Sequence, residues 1–350
     1  MLNSSRSASP DENNIYRTVE RAVSDARRGW VGKDQPPAEI GSQAIVAVRT
    51  ATLGEFLVKP FPARERILTP WLLTQSLSMI HAYRGVGKTH VAIGVAYAVA
   101  TGGKFLAWEA ERPRRVLYLD GEMPAPALQE RFRVLFDADE RDFDSAFLTI
   151  ASPDLQDDCP MPDLATTVGQ EAVERVVGDS ELIVVDNVST LVRNTQREND
   201  AESWRDVGEW ALRMRQKGRS VLFVHHSGKN GQQRGSSKKE DTLDTVILLK
   251  HPPDYSPEQG ARFEIHYEKF RNGTGEDAKP LEVALVTGPD GKSAWSCQAV
   301  SDSTFDRVVG LYNEGLEQVD IATELELNKS TVSRHVRKAR EAGLLTRGAL

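Results

Sequence analysis

Eight residues constrain this chain more than any others: Ala82-Tyr83-Arg84-Gly85-Val86-Gly87-Lys88-Thr89. They lie between a short apolar run, Leu77 to His81, and a run of helical composition from Thr89 to Ala100, so the order is strand, glycine loop, helix. Backbone N–H groups in such a loop converge on an anion, and the helix N-terminus adds partial positive charge. Gly85 and Gly87 permit the tight path, with Arg84 and Val86 completing the loop. Lys88 is placed to neutralise the terminal phosphates of ATP, and the Thr89 hydroxyl to ligate Mg²⁺. The motif G-x-x-x-x-G-K-[ST] opens with glycine, whereas Ala82 stands first here. Alanine is tolerated at that position if its φ is negative and strained if φ is positive.

A chain of 350 residues, 39% hydrophobic and 27% charged, can build one large domain and a small one, or two domains. No apolar run approaches the ~20 residues of a membrane helix, and Met1-Leu2-Asn3-Ser4-Ser5 lacks a signal-peptide pattern, so a cytoplasmic protein without membrane contact is expected. Cys159 and Cys297 are too few for a disulfide framework or a metal cage. With a net charge of −7, any surface that binds nucleic acid must be a local basic patch.

Residues 1–40, rich in Ser, Asp, Arg, Asn and Pro, predict a flexible tail with a short helix over 16–26. Ile45 to Val48 alternates like a strand, and Pro60, Pro62 and Pro70 punctuate the approach to Trp71. Downstream, Arg115 to Asp120 reads as a strand that stops at two carboxylates, Asp120 and Glu122. Open α/β sheets bind ligands at the carboxyl ends of their strands, which is where a general base for water belongs. Helices are expected over 127–136, 164–177 and 204–217, and a short strand over 147–150. Glu181 to Asp186 is a continuous apolar strand closed by aspartate, as in a parallel sheet buried on both faces, and its carboxylate can hold magnesium.

Ser220 to His226 is a further strand, ending in His225 and His226. A glycine-rich basic loop follows, in which Lys229, Arg234, Lys238 and Lys239 have the composition of a flexible grip on a nucleic-acid backbone. Strands over 245–249 and 263–268 flank a hairpin-like Pro252 to Tyr255, and the second runs into Lys269-Phe270-Arg271-Asn272-Gly273. Two cations one residue apart on a strand point the same way, so Lys269 and Arg271 can converge on one anion. Leu281 to Val286 is expected to close the sheet.

This order of elements resembles the RecA-type core of hexameric replicative helicases, the RepA plasmid helicase and DnaB-like groups above all, over about residues 50–290. The resemblance implies an α/β fold: a RecA-like P-loop NTPase core, here 41–298, with a mostly parallel central sheet. It assigns water activation to Glu122, Mg²⁺ to Asp186 with Thr89, and γ-phosphate sensing to a histidine of His225-His226. It also implies that Lys269 and Arg271 reach the neighbouring subunit's nucleotide. Loops at 187–203 and 226–240 line the central channel in such rings, so single-stranded DNA is the implied partner and a homo-oligomeric ring, a hexamer, the implied assembly. Departures are Ala82 and the lack of a DnaB-like helical collar before the core.

Residues 301–350 change character, to a small all-α helix-turn-helix domain. Phe305, Val308, Val309, Leu311 and Tyr312 have helical spacing, Gly315 breaks it, and Val319 to Leu325 gives a second helix. After a turn at 326–328, a third helix packs Val332 and Val336 inward. Lys329, Arg334, Arg337, Lys338, Arg340 and Arg347 make its end basic, the asymmetry a helix in a major groove needs. Ser330, Thr331, Ser333, Arg334 and Arg337 are the candidate contacts to duplex DNA.

These features point to an ATP-hydrolysing motor on DNA, a ring-forming helicase translocating on single strands. The alternative is an ATP-controlled DNA-binding regulator or assembly ATPase of a mobile element. A strand-exchange recombinase fits less well, for want of an amino-terminal polymerisation segment.

Overall fold

The computed structural model describes residues 48–193, 200–227 and 241–346. The tail at 1–40 and most of the strand expected at 45–48 lie outside these, and Val48 itself is not in a strand. The chain divides into two units, Met1–Phe61 and Pro62–Leu350. In the first, a short helix α1 (Leu53–Val58) is closed by a capping box in which Thr52 Oγ1 accepts from the Glu55 N–H and Glu55 Oε2 accepts from the Thr52 N–H at 2.8 Å.

The second unit opens with a small antiparallel pair, β1 (Arg66–Leu68) and β2 (Leu72–Leu73). Then come β3 (Leu77–Ala82), α2 (Lys88–Thr101), the hairpin β4 (Lys104–Phe105) and β5 (Trp108–Glu109), β6 (Val116–Asp120), α3 (Ala125–Phe136) and β7 (Leu148–Ala151). They are followed by α4 (Thr167–Val177), β8 (Leu182–Asp186), α5 (Val188–Leu191), α6 (Asp200–Gln216), β9 (Ser220–His226), β10 (Thr245–Lys250), β11 (Arg262–Phe270), β12 (Leu281–Thr287) and β13 (Ser293–Ala299). One sheet holds nine of these strands in the order β13-β12-β11-β10-β3-β9-β8-β6-β7. From β10 through β7 the pairing is parallel, and β11, β12 and β13 extend it antiparallel. This is a RecA-like α/β fold with a mostly parallel central sheet.

Strands β3, β6 and β8 are buried at every residue, which is why they read as unbroken apolar runs. One face packs Ile80 and Val184 on α2; the other packs Met79, Ile183 and Phe223 on Trp204 and Trp210 of α6. The sheet is closed by β13, not by β12. Its inward Trp295 and Cys297 are separated by small or polar residues, so it gives too few apolar positions to announce a strand.

Helix α7 (Val300–Asn313) begins directly after β13, followed by α8 (Gln318–Glu324) and α9 (Lys329–Glu341). Val308, Ile321, Leu325, Val332 and Val336 form their core. Gly315 at φ 105° ends the first turn region, and Glu326 at φ 51° makes the helix-turn-helix corner. This module is fastened to the antiparallel end of the sheet. Arg307 Nη1 donates to Asp254 Oδ1 at 2.6 Å and Nη2 to Glu282 Oε2 at 3.0 Å. Arg262 bridges the same two acids from β11, and Ser303 Oγ donates to Glu282.

Candidate functional site

The phosphate loop springs from the carboxyl end of β3. Ala82 is the last residue of that strand, fully buried and paired with His226 on one side and Leu249 on the other. Among the described residues, positive φ outside glycine falls only at Gln75, Leu106, Asp157 and Glu326, so Ala82 carries no strain. The left-handed turns sit at Gly85 (φ 83°) and Gly87 (φ 132°), and a Cβ on Gly87 would lie 2.5 Å from Phe263 Cε1. Arg84 is exposed, whereas the Val86 side chain is buried in the core, so only its backbone is left for a ligand.

Lys88 is buried, and its Nζ donates to the carbonyls of Ala82 at 3.1 Å and Tyr83 at 3.0 Å. Burial pulls its ammonium down to about 8, against the attraction of Asp186 and Glu122. Both carboxylates therefore lie within electrostatic reach of the loop. Asp120 and Asp186 are register partners at the ends of β6 and β8. Asp186 is buried, which raises its pKa; the hydrogen bond from Tyr118 (Oη to Oδ2, 2.7 Å), the nearby Thr89 hydroxyl and the charge of Lys88 oppose the rise. Thr89 and Asp186, the two predicted magnesium ligands, thus lie near each other. Lys88, the glycine amides and this pair fit a triphosphate with its Mg²⁺, an ion held by few protein oxygens plus phosphate.

Glu122 lies two residues beyond the end of β6, more than half exposed, and accepts a hydrogen bond from Asn187 Nδ2. Asp120 fixes that turn: its Oδ2 accepts from the N–H of Met123 at 2.9 Å and of Glu122 at 3.4 Å. Burial pushes Asp120 up to about 6. Of the two histidines, His226 joins the cluster, with Nε2 3.8 Å from Glu122 Oε2 and a pKa lowered by burial and then by Lys88. His225 is buried and points to the opposite face of β9. Tyr118 and Asn187 escaped the sequence reading; each adjoins a noticed carboxylate, on the same strand or one residue on.

Lys269 and Arg271 do not enter this cluster. Lys269 pairs with Val246, and Arg271 lies past the end of β11 in a turn, its N–H donating to Asp244 O and its Nη2 to Asp241 O. The alternation argument therefore does not apply to Arg271. Asp244 in turn bonds Leu77, at the amino end of β3, so this pair marks the sheet edge opposite the phosphate loop. Lys229, Arg234, Lys238 and Lys239 lie outside the described residues, as does Arg347. On α9, Ser330, Ser333, Arg334 and Arg337 are exposed and Thr331 is half-buried, while Lys338 covers the Phe305 ring at 4.7 Å.

A family model described as AAA domain, AAA_25, matches residues 45–232. A second, described as bacterial regulatory protein, arsR family, matches residues 318–347. Among solved structures, the KaiC-like protein PH0186 from the hyperthermophilic archaeon Pyrococcus horikoshii OT3 is similar at 14% identity and a TM-score of 0.45, over 66% of this chain and 93% of that one. No curated protein matches the sequence.

Proposed function

The chain belongs to the AAA-domain family AAA_25, and from that membership and the site geometry we propose that it is an ATP-driven motor on DNA, a ring-forming helicase of RepA type that tracks along single strands. The observation that carries this is the polarity of the sheet. The phosphate loop leaves the carboxyl end of β3, while Arg271 sits at the amino end, a strand of six residues and about 20 Å away. A cation pair so placed cannot serve its own loop but is placed to serve a neighbour's, which is how a ring of copies completes each site.

Within one copy, Lys88 and the loop amides hold the β- and γ-phosphates. Thr89 and Asp186 hold magnesium, which when bound shields phosphate charge. Glu122, oriented by Asn187 and the Asp120 turn, is positioned to accept a proton from water, and His226 to register the terminal phosphate. Helix α9 presents its basic, exposed face to duplex DNA. Strand displacement on forked DNA with ATP tests the proposal, together with mass measurement in the presence of a non-hydrolysable ATP analogue and single-stranded DNA. Hydrolysis stimulated by DNA without displacement would refute the helicase, and a monomer mass would refute the ring.

The second reading, a nucleotide-controlled DNA-binding regulator, draws support from the way Arg307 clamps α7 to the sheet, which makes the DNA module part of the ATPase body. Duplex affinity that changes with bound nucleotide, in a protein that displaces no strand, is its signature.

A further inference from the structure

His81 stands one residue before the phosphate loop with its side chain 1% exposed, and both ring nitrogens are engaged. Nδ1 lies 2.8 Å from Ser227 Oγ and Nε2 2.7 Å from Glu268 Oε2. An ionised Glu268 only accepts, so Nε2 donates to it, and Nδ1 pairs with the Ser227 hydroxyl. That hydrogen bond holds the Glu268 carboxyl below the usual range.

Both ends of this line are anchored at places the reaction uses. Ser227 follows His226, and its own N–H donates at 2.9 Å to the Ala82 carbonyl, the oxygen that also accepts from Lys88 Nζ at 3.1 Å. Glu268 precedes Lys269 and sits in a bulge of β11, since Val246 faces Lys269 and the next residue, Ile247, faces Tyr267. A bulge re-aims a side chain, here across β10 to β3. Serine, histidine and glutamate in line are also the parts of a hydrolytic nucleophile, but Ser227 and His81 are both buried, so no substrate reaches the hydroxyl.

We propose that Glu268, His81 and Ser227 are positioning residues for the nucleotide reaction: one hydrogen-bonded line that ties the phosphate-loop lysine, through the Ala82 carbonyl, to the strand carrying Lys269 toward Arg271. The proposal rests on the nucleotide reading above. When phosphate draws Lys88 off the Ala82 carbonyl, Ser227 becomes that oxygen's remaining partner of the two, and the change passes through His81 to β11.

The test compares wild type with Ser227→Ala, Glu268→Gln and the double variant, which alter the ends of the line and leave the buried imidazole in place. Protein labelled with ¹⁵N-histidine is titrated with a non-hydrolysable ATP analogue and Mg²⁺, binding being followed independently with a fluorescent ATP. The His81 ring nitrogens shift on binding in wild type and not in either variant. For ATP hydrolysis, kcat falls about tenfold in each single variant and no further in the double, with KM within about twofold, because both substitutions break one line. Bound nucleotide with His81 unmoved in wild type, or losses that multiply in the double variant, overturns the relay and leaves the nucleotide reading standing. Wild type that binds no nucleotide overturns that reading and the relay with it.

Discussion

Gly87→Ala separates the shape of the phosphate loop from its composition. Gly87 holds φ 132° and ψ 14°, a conformation costing a residue with a Cβ about 1–3 kcal/mol. The added methyl would also lie 2.5 Å from Phe263 Cε1 and 2.9 Å from Cδ1, and that ring is fully buried, so it cannot swing into solvent. Overpacking of this kind costs about 1–3 kcal/mol more. The combined ~2–6 kcal/mol falls on the loop, which is less firmly packed than the sheet, and nucleotide affinity drops by about 30-fold or more at 1.4 kcal/mol per decade. Titration with a fluorescent ATP analogue measures this, with thermal unfolding run in parallel. Adding Phe263→Leu should recover the packing share and leave the backbone share. As a control, Ala82→Gly should change affinity less than about threefold and lower Tm slightly, since glycine within a strand costs about 0.5–1 kcal/mol. A Gly87→Ala protein that binds within threefold of wild type at unchanged Tm would refute the reasoning.

Three further outcomes are expected. Glu122→Gln keeps nucleotide binding and loses about 100-fold or more in kcat, the usual worth of a general base, as read by phosphate release. Lys88 in the free protein sheds its proton as pH rises through about 8, and bound phosphate favours the charged form. ATP affinity is therefore full below that pH and weakens above it by up to about tenfold per unit, a dependence that Lys88→Arg should flatten. Arg307→Ala removes one of the two guanidinium partners of Glu282, which keeps Arg262 and Ser303; it should cost about 1.5–3 kcal/mol in thermal or denaturant unfolding, the worth of hydrogen bonds to a charged group, and open the β13–α7 junction to proteases.

How much of this was legible depended on where the partners lie. The strands ending at Ala82, Asp120, Asp186 and His226 could be read because burial on both faces makes them apolar and the candidate site residues lie at or just past the end of each run. Helix α1 was passed over, although Thr52 and Glu55 spell its capping box, because six residues show too little periodicity to stand out between prolines. Strand β13 was missed for its polar alternation. The Arg307 clamp and the His81 line were invisible for a different reason. Ser227 and Glu268 are 146 and 187 residues from His81, and only the strand order β11-β10-β3-β9 brings them together. Which of His225 and His226 lies beside Glu122 was likewise a matter of which face of β9 each occupies, and only the structure shows that it is His226.

The claim at the centre of the account is that each nucleotide site is completed by a second copy. Subunits carrying Lys88→Ala and subunits carrying Arg271→Ala should each be inactive alone. Mixed, they should regain a measurable fraction of ATP hydrolysis, because some interfaces then pair an intact phosphate loop with an intact Arg271. Mixtures that stay as inactive as either variant, while mass measurement shows the two kinds assembled together, would contradict it.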